Sequence, residues 1–349
     1  MSGTKPKPAS GAATPGAVLV RTSPSLALVK YWGKKPGGRN LPATTSLAVT
    51  LAGLDTRTLV RVAAPGEGDA VRVGGELQDA ARYAPFFGEA RRLFRSPLHF
   101  AASSENSFPS AAGLASSSSG FAALALGCAA LSGRSGGTRA NALASELARL
   151  GSASAARAVY GGFTLLPAGA RRAEPLEDPG YWPDFRVVVA LATREKKRDS
   201  SRGAMELTRT SSPYYAPWVR DARKVSREAL AAFRSRDAEK LGDLMRLSYL
   251  RMHASALAAV PPVLYWLPDS VALIRACADL RARGIGAWET MDAGPQVKVF
   301  CLAPELAAVE AALRGAVPGC ELIVAKPGAG PDLGPAPGDG MMDRGSGTP

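Results

Sequence analysis

The chain has 349 residues, 46% of them hydrophobic, and a formal net charge of +13. That length allows one large domain or two closely packed ones with a real core, and no apolar run approaches the ~20 residues of a membrane-spanning helix. The basic residues are mostly scattered arginines, as in Arg91-Arg92 and Arg171-Arg172, with no block of like charge and no RNA-binding aromatic signature, so a nucleic-acid partner is not expected.

Cys128, Cys277, Cys301 and Cys320 form no CxxC pair, and the two histidines, His99 and His253, are distant from them in sequence. This argues against a zinc site and for buried, reduced thiols in a cytoplasmic protein. Met1 to Gly16 is rich in Pro, Ala, Gly, Ser, Thr and Lys and lacks the apolar stretch of a secretory signal. Residues 1–17 and the Gly/Pro-rich 327–349 both read as disordered tails.

In chain order, Val18 to Lys30 reads as a strand interrupted at Pro24. Short strands follow at Ser46–Gly53, Thr56–Ala64, Ala70–Gln78 and Leu98–Ser104. The period then changes. Ser117–Leu131 and Arg139–Leu150 are expected helices, the second closed by Gly151. Gly162–Pro167 and Arg186–Thr193 return to strand character. Asp221–Arg236 and Asp237–Ala254 read as long helices, and Pro268-Asp269-Ser270 opens another with Leu273, Cys277 and Leu280 on one stripe. Strands at Ala287–Met291 and Val297–Leu302, a helix at Pro304–Leu313 and a strand at Glu321–Ala325 close the chain. Strands first, helices in the middle and a final α-β-β-α-β unit predict an α+β architecture, not a doubly wound parallel sheet.

Three segments carry chemistry. Phe108-Pro109-Ser110-Ala111-Ala112-Gly113-Leu114-Ala115 runs into Ser116 to Ser119 and Gly120, between a strand and a helix. Free N–H groups and the helix dipole make an anion site there, and the absence of a Gly-Lys-Ser/Thr sequence excludes a Walker loop. Lys30-Tyr31-Trp32-Gly33-Lys34 ends an apolar strand with two lysines around two aromatics; it reads equally as a phosphate-neutralising pocket or as a solvated basic tip. Thr290-Met291-Asp292-Ala293-Gly294-Pro295-Gln296 taken alone is turn chemistry between two strands.

Together with LPATTSLAVTL, GSASAARAVYGGF, KKRDSSRGAMELTRTSSPYY and RMHASALAAVPPVLYWLPDS, in that order, these segments resemble the diphosphomevalonate decarboxylases of the GHMP kinase superfamily. The likeness runs from about Val18 to Lys326. The Ser-rich loop belongs to the whole superfamily, whereas VKYWGK and MDAGP are specific to the decarboxylase branch. The resemblance implies two lobes: residues 18–193 as an ATP-binding lobe like ribosomal protein S5 domain 2, and 194–326 as a ferredoxin-like lobe. It implies ATP-dependent decarboxylation of mevalonate 5-diphosphate to isopentenyl diphosphate, in isoprenoid biosynthesis, with ATP and Mg2+ and a homodimeric assembly.

Carried over by position, Asp292 is the carboxylate at the tertiary hydroxyl, as base or orienter, Lys30 the cation that holds it ionised, and Arg157 the clamp on the substrate carboxylate. Tyr31, Trp32, Lys34, Ser152, Ser154, Ser201, Arg202, Met205 and Ala293 fall around the substrate. Pro109, Ala112, Gly113, Leu114, Ser116, Ser117 and Ser118 fall in the nucleotide phosphate loop, and no side chain is assigned to a metal. Gln296 stands where the family usually has Asn, Thr44 where it often has Asn, and Ala204 where it usually has Gly. Gln296 is expected to shift the loop after Asp292, and Ala204 to alter the diphosphate cradle. The alternatives left open are decarboxylation of mevalonate 5-phosphate and 3-phosphorylation of mevalonate without decarboxylation. His253 receives no role.

Overall fold

The computed structural model describes residues 16–108, 116–193 and 200–336. The first expected strand is two, β1 (Ala17–Thr22) and β2 (Ser25–Ala27), divided at Pro24. Then come β3 (Ser46–Thr50), β4 (Thr56–Val62), β5 (Ala70–Val73) and β6 (Glu76–Leu77). A helix absent from the sequence reading follows, α1 (Ala80–Phe94). Pro85 and Gly88 break its local pattern, but burial of Tyr83, Phe86, Phe87, Ala90 and Phe94 on one face, and a cap in which Asp79 accepts from the Ala81 N–H, outweigh them.

Next are β7 (Phe100–Asn106), α2 (Ser116–Leu131), α3 (Gly137–Gly151), a 3-10 turn at Ala153–Ala156, β8 (Phe163–Leu166), β9 (Glu174–Glu177) and β10 (Phe185–Leu191). The second half contains α4 (Ser201–Ser211), α5 (Tyr215–Ser235), α6 (Ala238–Leu257), α7 (Pro268–Ala282), β11 (Trp288–Met291), β12 (Val297–Leu302), α8 (Leu306–Ala316), β13 (Glu321–Ala325) and β14 (Asp332–Pro335).

Three sheets organise these elements into an α+β, two-lobed molecule. One has the order β14-β1-β4-β7-β5-β6, a second β2-β3-β8-β9 and a third β11-β12-β10-β13. The first sheet packs on α1, α2 and α3 around a core that includes Val20, Val60, Phe87, Phe100 and Leu147. The third is antiparallel throughout and carries the predicted closing α-β-β-α-β unit, with Cys277, Val297, Val309 and Leu313 buried on one side. Leu47, Phe163, Phe185, Phe233, Trp288 and Phe300 form one core that joins the second and third sheets through α5 and α6. The lobes are thereby bonded by apolar packing, not only by the chain.

Two boundaries differ from the sequence reading. β10 precedes residue 194 yet lies between β12 and β13 in the closing sheet, because its apolar run Val187 to Leu191 needs burial on both faces. The segment from Pro327, expected as a tail, is ordered backbone to residue 336. Leu51 bridges to Pro327, the Gly162 N–H donates to the Gly328 carbonyl at 2.8 Å, and β14 pairs antiparallel with β1, Asp332 opposite Arg21. Glycine is required here: a Cβ on Gly161 would stand 2.2 Å from the Gly330 nitrogen.

Candidate active site

The site lies where three chain segments, distant in sequence, converge. Lys30 follows β2, and backbone bonds from Leu28 and Val29 to the Leu47 carbonyl fix its approach. The Lys30 N–H donates to Ser248 Oγ on α6 at 2.9 Å, while Thr44 Oγ1 accepts from the Trp32 N–H and donates to the Lys30 carbonyl. The ammonium is 1% exposed and donates to the Ala27 carbonyl at 2.8 Å and to Asp292 Oδ1 at 2.7 Å. Asp292 heads the turn after β11, closed by a Gly294 N–H bond to its own carbonyl, and is 27% exposed. It is the accessible member of the pair.

Sequence reasoning missed Lys298. It stands on β12 opposite Thr290, is fully buried, and places Nζ 3.5 Å from Asp292 Oδ2. The available signal was a lysine inside the apolar run Val297 to Leu302, since a buried cation needs an anionic partner. Arg157 follows the 3-10 turn and is buried; its Nε and Nη1 donate to Ser25 Oγ at 3.3 Å and Ser46 Oγ at 2.6 Å. Three cations thus surround one carboxylate.

The electrostatics follow. Burial disfavours the charged form of Asp292, but the attraction of Lys30 and Lys298, the Lys30 hydrogen bond and Arg157 outweigh it and hold the carboxyl well below the usual range. Burial lowers Lys30 to about 8 despite the opposing pull of Asp292. It lowers Arg157 to about 10.

Beside this pair lie most of the residues expected around the substrate. Tyr31 has a buried hydroxyl with no hydrogen-bond partner, and burial pushes its pKa above the ordinary phenol range. Lys34 donates to Asn40 Oδ1 at 2.7 Å and is lowered to about 8 by burial and then by Arg202. Ser152 and Ser154 share a hydrogen bond of 2.9 Å, and Arg202 donates to the Gly151 carbonyl at 3.2 Å. Ser201 opens α4, whose cap is Ser200. Trp32, Met205 and Ala204 are packed with Trp218 and Met252, and Ala293 lies at the edge of that cluster. They form the wall behind the polar groups.

Of the phosphate-loop residues, Pro109, Ala112, Gly113 and Leu114 lie outside the described residues. Ser116 is the first residue of α2. Ser117 is exposed, whereas Ser118 is buried with a hydroxyl that has no partner among the described residues. Ser119 bonds Thr56 Oγ1 at 2.6 Å, and its carbonyl accepts from Thr22. The helix start is therefore anchored on β1 and β4.

Gln296, which follows the Asp292 turn, is held just past the end of β10. Its amide donates to the Thr193 carbonyl at 2.6 Å and its Oε1 accepts from the Thr193 N–H at 3.4 Å. That side chain ties the residue before β12 to the segment after β10. Ala204 buries its methyl in the tryptophan cluster, so its difference from glycine falls on packing.

Comparison with known proteins gives a consistent picture. Residues 22–176 match the model of the diphosphomevalonate decarboxylase-like N-terminal domain, and 187–330 that of the mevalonate 5-diphosphate decarboxylase C-terminal domain. The chain is 32% identical over 317 residues to the diphosphomevalonate decarboxylase of Eremothecium gossypii, covering 82% of this chain and 78% of that protein. With the Bos taurus enzyme it shares 32% identity over 334 residues, or 87% and 82%. Among solved structures, MDDEF in complex with MVAPP, AMPPCP and magnesium superposes with a TM-score of 0.83 at 32% identity, covering 92% of this chain and 99% of that one. Mevalonate diphosphate decarboxylase from Staphylococcus aureus gives 0.83 at 30% identity, covering 91% and 98%.

Proposed function

The chain belongs to the diphosphomevalonate decarboxylase family, and from that premise and the site geometry we propose that Asp292, Lys30 and Arg157 carry the ATP-dependent decarboxylation of mevalonate 5-diphosphate. The observation that supports this most directly is the Lys30–Asp292 contact of 2.7 Å, which joins two residues 262 positions apart at the seam of the lobes.

A tertiary alcohol is a poor leaving group, so its oxygen must first accept a phosphoryl group. Asp292, flanked by Lys30 and Lys298, is too weak a base to keep a proton in the ground state. Its role is to accept the hydrogen bond of the 3-hydroxyl and aim that oxygen at the transferred phosphorus. Lys30, near 8, keeps the carboxylate ionised and offsets the negative charge gathered at the reacting oxygen. Arg157, its guanidinium set by Ser25 and Ser46, faces the substrate carboxylate. When the phosphorylated oxygen departs with the C–O electron pair, the C–C bond to the carboxylate supplies the alkene electrons and CO2 leaves.

The diphosphate would lie against Lys34, Arg202, Tyr31 and the serines 152, 154 and 201. The nucleotide phosphates would meet the start of α2, where the free N–H groups and dipole of the helix suit an anion. Magnesium supplies charge neutralisation on those phosphates. A cytoplasmic homodimer completes the proposal. No helix among the described residues is long and apolar enough to cross a membrane.

The test is a product count with mevalonate, its 5-phosphate and its 5-diphosphate, each with ATP and Mg2+. Equimolar CO2 and ADP from the diphosphate is the expected result. ADP without CO2 would replace this reading with a 3-kinase, and CO2 from the monophosphate alone would move the substrate.

A further inference from the structure

One helix holds both partners of the reacting pair. α6 offers Ser248 to the Lys30 backbone and, slightly further along, sets His253 beside Asp292. The imidazole is 1% exposed and lies among Tyr249, Tyr265 and Trp266, with ring centroids at 6.0, 6.0 and 5.8 Å. Trp266 Nε1–H donates to His253 Nδ1 at 3.1 Å. An indole nitrogen can only donate, so Nδ1 is an acceptor and the ring hydrogen sits on Nε2. That Nε2 is buried and has no partner that meets hydrogen-bond geometry, while the backbone of Met291 and Asp292 lies against the ring.

A buried donor is costly unless a carbonyl answers it, and the backbone of Met291 and Asp292, which hydrogen-bonds the ring at a looser geometry, is the acceptor at hand. We propose that His253 is a positioning residue for Asp292: a neutral imidazole, fixed as the Nε2–H tautomer by Trp266, seats the Met291–Asp292 backbone and so sets the Lys30–Asp292 contact. This rests on the reading of Lys30 and Asp292 as the reacting pair. Burial, and then the nearby Lys30 charge, lower the imidazole to about 4 against the smaller opposing effects of the Met291 backbone hydrogen bond and of Asp292, consistent with a ring that stays neutral while the enzyme works. Lys30 and Asp292 are the charged groups that face it, and its ring neighbours are Trp266 and the titratable Tyr249 and Tyr265.

The chain has two histidines, so nitrogen-15 NMR of the full-length protein reads the tautomer directly, with His99→Gln identifying the second ring. The expected spectrum has His253 neutral and protonated on Nε2 from pH 8 down to about 5. An Nδ1-protonated ring, or an imidazolium in that range, overturns the proposal. In turnover, His253→Phe, which keeps the ring volume, is expected to lower kcat for CO2 release about tenfold or more with nucleotide affinity unchanged, because small misplacements of a reacting group are expensive. His253→Gln, which restores an N–H near the Nε2 position, should recover part of that loss. Trp266→Phe removes the donor that blocks Nδ1, and kcat should then fall on the acid side as His253 gains a proton. Wild-type kcat in His253→Phe, or an unchanged pH profile in Trp266→Phe, refutes the positioning role. If the unmodified protein releases no CO2, the decarboxylase reading fails, and the tautomer measurement still decides the geometry.

Discussion

Two acids lie three residues apart near the end of β11, and the structure treats them in opposite ways. Glu289 is fully buried and saturated: Oε1 accepts from Arg246 Nε at 2.9 Å and Tyr249 Oη at 3.1 Å, and Oε2 from Arg281 Nη1 at 2.6 Å. Asp292 is partly open, bonds one lysine at 2.7 Å, and faces the other at 3.5 Å, beyond a normal hydrogen bond. Arginine forks and a phenol consume the acceptor capacity of Glu289. Lysine point charges leave Asp292 ionised with an acceptor position unfilled. The lesson is that a buried charge pair marks a site when its anion is under-satisfied and its cations are in surplus. A saturated anion marks structure.

Substituting each acid breaks the comparison most sharply. Asp292→Ala should lower kcat about 10³-fold, within the usual range for a lost acid–base group, while nucleotide affinity and melting temperature change little. Lys30 would then lose its partner and fall further below about 8, which limits the buried positive charge left beside Lys298 and Arg157. Glu289→Gln should do the reverse. It strands Arg246 and Arg281, and urea unfolding should record a loss of about 3 kcal/mol, the low end of the buried-pair range because both arginines reach some solvent. The kcat per folded molecule should stay within about twofold, since no substrate group meets Glu289. Comparable losses of kcat in the two variants would erase the distinction.

How much of this contrast was legible in the sequence depends on how far each residue reads from its own neighbours. Asp292 and Lys30 were found, but only through motifs; Asp292-Ala-Gly-Pro by itself is a turn, and nothing local places it against a lysine 262 positions away. The α-β-β-α-β closure followed from periodicity, because the stripe of Leu273, Cys277 and Leu280 and the apolar β12 each carry their own pattern. α1, α4, β9 and β14 were not legible. Pro85 and Gly88 mask the first. α4 has a high share of polar residues, with only Ala204, Met205 and Thr208 buried. β9 and β14 are short edge strands made largely by pairing with β8 and β1. Lys298 and Glu289 were missed for one reason: a charged residue inside a strand is read as its exposed face unless the burial of both faces is known.

The pH response of Lys30 separates function from stability within one group. Activity needs the ammonium, so kcat should decline as pH rises through about 8, approaching tenfold per unit. Stability runs the other way. The folded-state pKa lies below the ordinary 10.5, so between about 8 and 10.5 the unfolded chain binds more protons than the folded one, and the contribution of this group to stability rises with pH. Lys34, also near 8, titrates in the same window and would appear in KM through the diphosphate; kcat isolates Lys30. The measurements are kcat and denaturation midpoints from pH 7 to 10, with Lys30→Met as the reference in which the stability slope due to this group disappears. A kcat flat to pH 10 would remove Lys30 from the reacting charge set.

The smallest expected effect belongs to Lys298. Its ammonium helps hold Asp292 ionised, but its 3.5 Å separation makes no short bond to the carboxylate, and it also donates to the Gln296 carbonyl at 3.3 Å. Lys298→Met keeps the stem and removes the charge, so kcat should fall about tenfold, equivalent to ~1.4 kcal/mol, well short of the Asp292→Ala loss. If the cation acts through Asp292, the two losses do not add: Asp292→Ala with Lys298→Met should be no slower than Asp292→Ala alone. Additive losses would mean that Lys298 meets the substrate independently of the carboxylate. Asp292 would then be saturated by Lys30 alone, and the difference between the two acids of β11 would lie in exposure instead of in surplus charge.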